Sequence, residues 1–113
     1  MGYSRAVRAG ALVFVSGCTA AGPDGELVGG PSAYEQTRQA CRNVEAALAQ
    51  AGATVAEVVR TRMYVTDISR WEEVGRAHSE TFGAAPPASS IVEVSALIDP
   101  RMLVEIEAVA HVS

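Results

Sequence analysis

Few side chains in this sequence can do chemistry. Glu107 sits in the alternating run Val104-Glu105-Ile106-Glu107-Ala108-Val109-Ala110 near the C-terminal end. A carboxyl among apolar neighbours on a strand has two roles open to it. It is the ion-pair partner of an arginine on a neighbouring strand, Arg60 or Arg62, or it is a partly buried acid with a raised pKa, fit to relay a proton through water. Cys18 follows Val15-Ser16-Gly17 at the end of an apolar run. It is a nucleophile if its thiolate is stabilised there, and otherwise a small buried apolar residue. Gly17, with no Cβ, lets a ligand approach the backbone closely. Tyr3 offers a phenol to a pocket or covers the sheet edge. Ser89 and Ser90 lie in neither a Ser-x-x-Lys nor a Gly-x-Ser-x-Gly context, so hydrogen bonding to a ligand suits them better than nucleophilic attack. His78 falls on an apolar helical stripe, the usual place of a satisfied histidine at a core edge.

Other chemistries find little to stand on. Cys18 and Cys41 are the only cysteines, and His78 and His111 the only histidines. No pair of them has metal-ligand spacing, so no metal is expected. Gly29-Gly30 is a pair rather than a phosphate-binding glycine loop. The net charge is −4 and the basic residues do not cluster, which argues against nucleic acid. No apolar run approaches the roughly 18 residues that a membrane span needs. Met1-Gly2-Tyr3-Ser4-Arg5 has no apolar signal core, and Ala6 stands where a myristoylated chain has serine or threonine. A soluble, cytoplasmic protein is expected.

The 113 residues make one domain, 1–113, with no internal repeat or linker. Tyr3 to Ala9 reads as a strand. Leu12-Val13-Phe14-Val15-Ser16 is an unbroken apolar run, expected to be a strand buried on both faces. Gly22-Pro23-Asp24-Gly25 is a turn. Ser32-Ala33-Tyr34-Glu35 is a capping box, opening a helix with Thr37, Ala40, Cys41, Val44, Leu48 and Ala51 on one stripe and Gly52 closing it. Val58 to Thr66 alternates, with Val59, Thr61, Met63 and Val65 facing one way and Arg60, Arg62, Tyr64 and Thr66 the other. A second capping box, Ser69-Arg70-Trp71-Glu72, opens a helix to Phe82, with Trp71 and Phe82 in the core and Gly83 as the stop. Ser90–Val94 and Leu103–Val112 are the last strands. The order is β-β-α-β-α-β-β, an α+β domain with two helices covering one sheet face. The other face carries Arg60, Arg62, Glu105 and Glu107 among apolar residues. That mixture suits a face closed by another copy of the chain.

The motifs Gly2-Tyr3-Ser4-Arg5-Ala6-Val7, Leu12-Val13-Phe14-Val15-Ser16-Gly17, Gln36-Thr37-Arg38-Gln39-Ala40 with Asn43, Val58-Val59-Arg60-Thr61, Val65-Thr66-Asp67, Pro87-Ala88, Val92-Glu93-Val94 and Val104 to Ala110 occur in this order over nearly the whole chain. In that combination the sequence resembles the Rid (reactive intermediate deaminase, or YjgF) family. The resemblance implies a chorismate-mutase-like fold, a homotrimer packed sheet to sheet, and pockets in the clefts between subunits. It also implies hydrolysis of imines and enamines to 2-keto acids and ammonia, without a cofactor. Tyr3, Gly17 and Glu107 then match the pocket tyrosine, the ligand-facing glycine and the water-positioning glutamate. Four positions depart from the family. Ser89 stands where the deaminases have the arginine that holds the substrate carboxylate. Gly75 replaces the pocket asparagine, Cys18 a common glutamine, and Ile91 a common cysteine. A hydroxyl is a poor substitute for a bidentate guanidinium, so weak or no activity on simple 2-imino acids is expected unless Arg5 or Arg76 reaches the cleft. Two functions follow: an enzyme, hydrolase or lyase, for an imine, enamine or related carbonyl compound, or a trimeric module that binds a small molecule without turnover.

Overall fold

Hydrophobic patterning and turn chemistry place the elements in the expected order. The computed structural model covers all 113 residues and contains β1 (Ala6–Ala9), β2 (Leu12–Cys18), α1 (Ala33–Gln50), β3 (Val58–Val65), α2 (Trp71–Phe82), β4 (Ala88–Glu93) and β5 (Val104–His111). Single 3-10 turns, Val55–Glu57 and Ile68–Arg70, precede β3 and α2. One five-stranded sheet has the order β1-β2-β5-β3-β4. Its neighbours are antiparallel except β3 and β4, which are parallel. A parallel pair needs a crossover, and α2 supplies it. No helix is long and apolar enough to cross a membrane.

Both helices lie on one face of the sheet. Val13, Val15, Met63, Val65, Ile106 and Ala108 meet Cys41, Val44, Leu48, Val74 and Phe82 there. Each large side chain buried this way stabilises the fold by about 1.5–3 kcal/mol. The Ser32 hydroxyl accepts from the Glu35 N–H at 3.1 Å and starts α1. Gly52, at φ 83°, turns the chain out of it in the left-handed region that glycine tolerates.

Several local expectations are corrected. Leu12–Ser16 is buried on one face only: Val13 and Val15 are covered, while Leu12 and Phe14 remain 37% and 44% exposed. Their face is the one the helices do not cover. A bulge between Val58 and Arg60 turns Val59 out of the inward set. The capping box at Ser69 does not form. Asp67 accepts from Ser69 instead, inserting the 3-10 turn and moving the start of α2 to Trp71. That position leaves Trp71 exposed, whereas Phe82 is core. Gly83 has right-handed dihedrals, so it ends α2 without a left-handed cap.

Candidate functional site

The site grows out of the end of β2. Pairing of β2 with β5 slips between Val15 and Cys18, so that Cys18 lies opposite Ile106. Ser16 turns toward the N-terminal segment, with its N–H on the Arg5 carbonyl and its hydroxyl on the Ser4 carbonyl. The slip brings the Gly17 backbone against the Glu105 side chain. A Cβ at residue 17 would lie 2.6 Å from Glu105 Cδ, so the close approach requires glycine.

A cavity of about 420 Å³ opens here. Tyr3 and Arg5 line it from the N-terminal segment, Gly17 and Cys18 from β2, and Glu105 from β5. Asn43, Ala46, Ala47 and Gln50 come from α1, and Ile98 and Met102 from the segment before β5. Arg5 and Glu105 are its only charged residues. Arg5 Nη1 donates to the Gly17 carbonyl at 3.1 Å and to Cys18 Sγ at 3.4 Å, and Nη2 reaches the Tyr3 hydroxyl at 3.5 Å.

Burial raises the pKa of Glu105 above the ordinary carboxyl value; the neighbouring Glu107 adds to the rise and Arg5 opposes it. Burial likewise pushes the Cys18 thiol up, and the Arg5 guanidinium offsets part of that. Cys18 is 1% exposed and directs its thiol toward the Ser16 carbonyl. These surroundings favour a protonated, packed thiol over a nucleophile.

Glu107 shares the open sheet face with Glu105 but does not line the cavity. Its Oε1 accepts from the Tyr64 hydroxyl at 2.6 Å. Arg62 stands opposite Glu107 in register, yet the chain's four ion pairs include neither Arg60 nor Arg62. Through its phenol, Tyr64 takes the carboxylate that an arginine was expected to hold.

The serines of β4 lie elsewhere. Ser90 accepts from Arg60 Nη2 at 2.7 Å. Ser89 turns to the helix side, 2.7 Å from the Thr61 hydroxyl, which is itself 2.9 Å from His78 Nε2. His78 is half-buried against Phe82, as its helical stripe suggested. With strands about 4.8 Å apart and β5 and β3 in between, β4 runs roughly 14 Å from β2. One small ligand therefore cannot touch Gly17 and Ser89 of the same chain. Gly75 has nothing within 4 Å of a Cβ position. Arg76 lies over the Tyr34 ring at 4.1 Å, outside the cavity, whereas Arg5 is inside it.

Asn43 was legible only as part of a motif, and the structure gives it a task. Its Nδ2 donates to the carbonyls of Thr19 at 2.9 Å and Ala21 at 2.7 Å, while Gln39 donates to its Oδ1. Helix α1 thereby fixes the segment that follows Cys18.

The family model described as endoribonuclease L-PSP matches residues 1–112. The chain belongs to the Rid (YjgF/RutC) family. The solved structure of a YjgF/YER057c/UK114 family member from Mycobacterium tuberculosis is 57% identical, with a TM-score of 0.88, covering 97% of this chain and 86% of that one. A RutC family protein of Pyrococcus abyssi is 38% identical over 96% of this chain and 85% of its own length. The chloroplastic Reactive Intermediate Deaminase A of Arabidopsis thaliana is 32% identical over 96% of this chain and 57% of its own length. The Rid fold accounts for the mixed five-stranded sheet backed by two helices.

Proposed function

We propose that this Rid-family chain hydrolyses a small imine, enamine or related carbonyl compound at the Glu105 cavity, with no cofactor. The observation that carries this reading is the Glu105 carboxyl, held against the Gly17 backbone with a raised pKa in a cavity shared with Arg5 and Tyr3. Ionised Glu105 takes a proton from water as its oxygen bonds to the imine carbon. The protonated carboxyl returns that proton to nitrogen to give the carbinolamine. Glu105 then takes the hydroxyl proton and passes it to nitrogen as the C–N bond breaks, so the carbonyl product and ammonia leave and Glu105 ends ionised. Glu107, assigned the water-positioning role by motif, acts instead as the neighbouring charge that helps hold the Glu105 pKa up. The deaminase named among the relatives favours this chemistry.

The open sheet face, with Phe14, Tyr64 and Glu107, is the surface through which three copies would pack. The clefts between subunits that the family resemblance implies would set a neighbouring subunit's β4 beside the cavity, and β4 carries Ser89 where deaminases carry arginine. Ser89 offers only a hydroxyl in place of that bidentate guanidinium, so a 2-imino acid has to rely on Arg5, the one cation in the cavity. RNA is a poor partner for a chain of net charge −4 whose cavity holds one arginine.

The absence of arginine at Ser89 and of asparagine at Gly75 favours a second reading, a trimer that binds a small molecule without turnover. An L-amino acid oxidase supplying imines, with semicarbazide as the trap, separates the two. Catalytic amounts of protein should suppress semicarbazone for some imines, and Glu105→Gln should abolish the effect while the assembly stays intact. Suppression that survives Glu105→Gln would exclude the mechanism, and its absence both for every 2-imino acid and for neutral imines supplied by an amine oxidase supports the binding module.

A further inference from the structure

We propose that the ligand of this cavity is an amphipathic carboxylate, gripped at its charged end by Arg5 and along its body by Ile98, Met102 and Ala46. The inference rests on the preceding one only for the location of the site. Arg5 is the one cation in the cavity, and it takes part in none of the chain's ion pairs. It is nevertheless held in place. Nη1 serves the Gly17 carbonyl and Cys18 Sγ, and the guanidinium carbon lies 5.8 Å from the Tyr3 ring centroid. A guanidinium has five N–H donors. Nε makes no hydrogen bond, and Nη2 makes only the long contact to Tyr3. The Nε–Nη2 edge is therefore left to donate to both oxygens of a carboxylate, the geometry in which arginine binds anions most strongly.

The rest of the wall defines the body. Ile98 is 89% exposed, so its side chain has almost no partner within the chain. It faces the cavity together with Met102 and Ala46. At about 420 Å³ the space lies within the ~300–1,000 Å³ of small-molecule sites, which leaves room for an aliphatic body behind the carboxylate. The anion is thus taken by the N-terminal segment, beside Glu105 on the same chain, and β4 is not needed to hold it.

The test uses the intact protein and three probes, hexanoate, hexanamide and acetate, titrated by calorimetry. Hexanoate should bind about 10- to 100-fold more tightly than hexanamide, the margin of a charge-assisted pair. Acetate, which lacks the body, should bind more weakly than hexanoate. Arg5→Gln should bring hexanoate down to the level of hexanamide. Arg5→Lys, which keeps the charge and loses the fork, should fall between, and Arg76→Gln should change nothing. Equal binding of hexanoate and hexanamide by the wild-type protein, or no binding of either, overturns the proposal even if Arg5→Gln does not fold. Undiminished hexanoate binding by a folded Arg5→Gln protein overturns it as well. None of these readouts needs turnover. Loss of carboxylate selectivity with imine hydrolysis intact therefore refutes this inference alone, and selectivity without hydrolysis refutes only the enzymatic reading.

Discussion

Gly17→Ala adds a single methyl group where it should do the most damage. The new Cβ would sit 2.6 Å from Glu105 Cδ, 2.7 Å from Oε2 and 2.9 Å from Cγ, whereas ordinary contacts begin near 3.4 Å. The carboxyl must therefore retreat by about 0.8 Å. Gly17 is not one of the glycines with positive φ, so alanine imposes no backbone strain. The obstacle is the end of a flexible side chain, and the cost in stability should stay near the low end of overpacking, about 1 kcal/mol. Catalysis is less forgiving, since a misplacement of roughly 1 Å can cost about 100-fold in rate. The expected outcome is a folded protein, by urea denaturation, whose imine turnover falls by about 10- to 100-fold. A second readout is the Glu105 carboxyl titration by carbon-13 NMR. It should start above the ordinary carboxyl range in the wild type and shift in the variant. A folded variant with full turnover and an unchanged Glu105 titration would show that the contact between Gly17 and Glu105 does not organise the site.

Burial lowers the pKa of His78, so its protonation is disfavoured in the folded state relative to the unfolded chain. Above about pH 6.5 the residue is neutral in both states and costs nothing; as pH falls from there through the folded pKa, the unfolded state gains protons first and stability declines. His78→Gln keeps a partner for Thr61 and cannot titrate. Its urea midpoint should therefore drop less than the wild type's between pH 6.5 and pH 5, and parallel curves would refute the assignment. Asn43→Ala removes the donors to Thr19 and Ala21. It should lower stability by about 2–3 kcal/mol and weaken ligand binding. An unchanged denaturation midpoint would mean that water replaces the amide.

The order of the elements was legible because the signals are local. Ser32, Gly52 and the alternation of β5 each act within a few residues. Gly52 and β5 formed as expected, while Ser32 caps α1 without closing the capping box, because the Glu35 carboxyl pairs with Arg38. Trp71 failed because Asp67, a competing cap just upstream, took the Ser69 N–H and reset the start of α2. The choice between Glu105 and Glu107 was beyond local pattern. Alternation puts both on the open face, and only the slip in β2 pairing decides which one meets Gly17. Ser89 shows the same limit. Its motif position was clear, but its bond to Thr61 depends on the register of a parallel pair separated by a helix. Arg5 was visible as a cation near Tyr3, and its place in the cavity depends on the same irregular end of β2.

Gln36 is fully buried, and its amide spans three backbone groups: it donates to the carbonyls of Gly30 and Arg101 and accepts from the Leu103 N–H. At the other end of that stretch, the Val94 N–H is tied to the Val65 carbonyl. Residues 95–100, which include Ile98, hang between two fixed posts. Sequence and even length can drift in that span without disturbing the folding core, while each change reshapes the wall the ligand meets. The span is the natural place for descendants of this chain to acquire new ligands, and the first segment to randomise in order to redirect it.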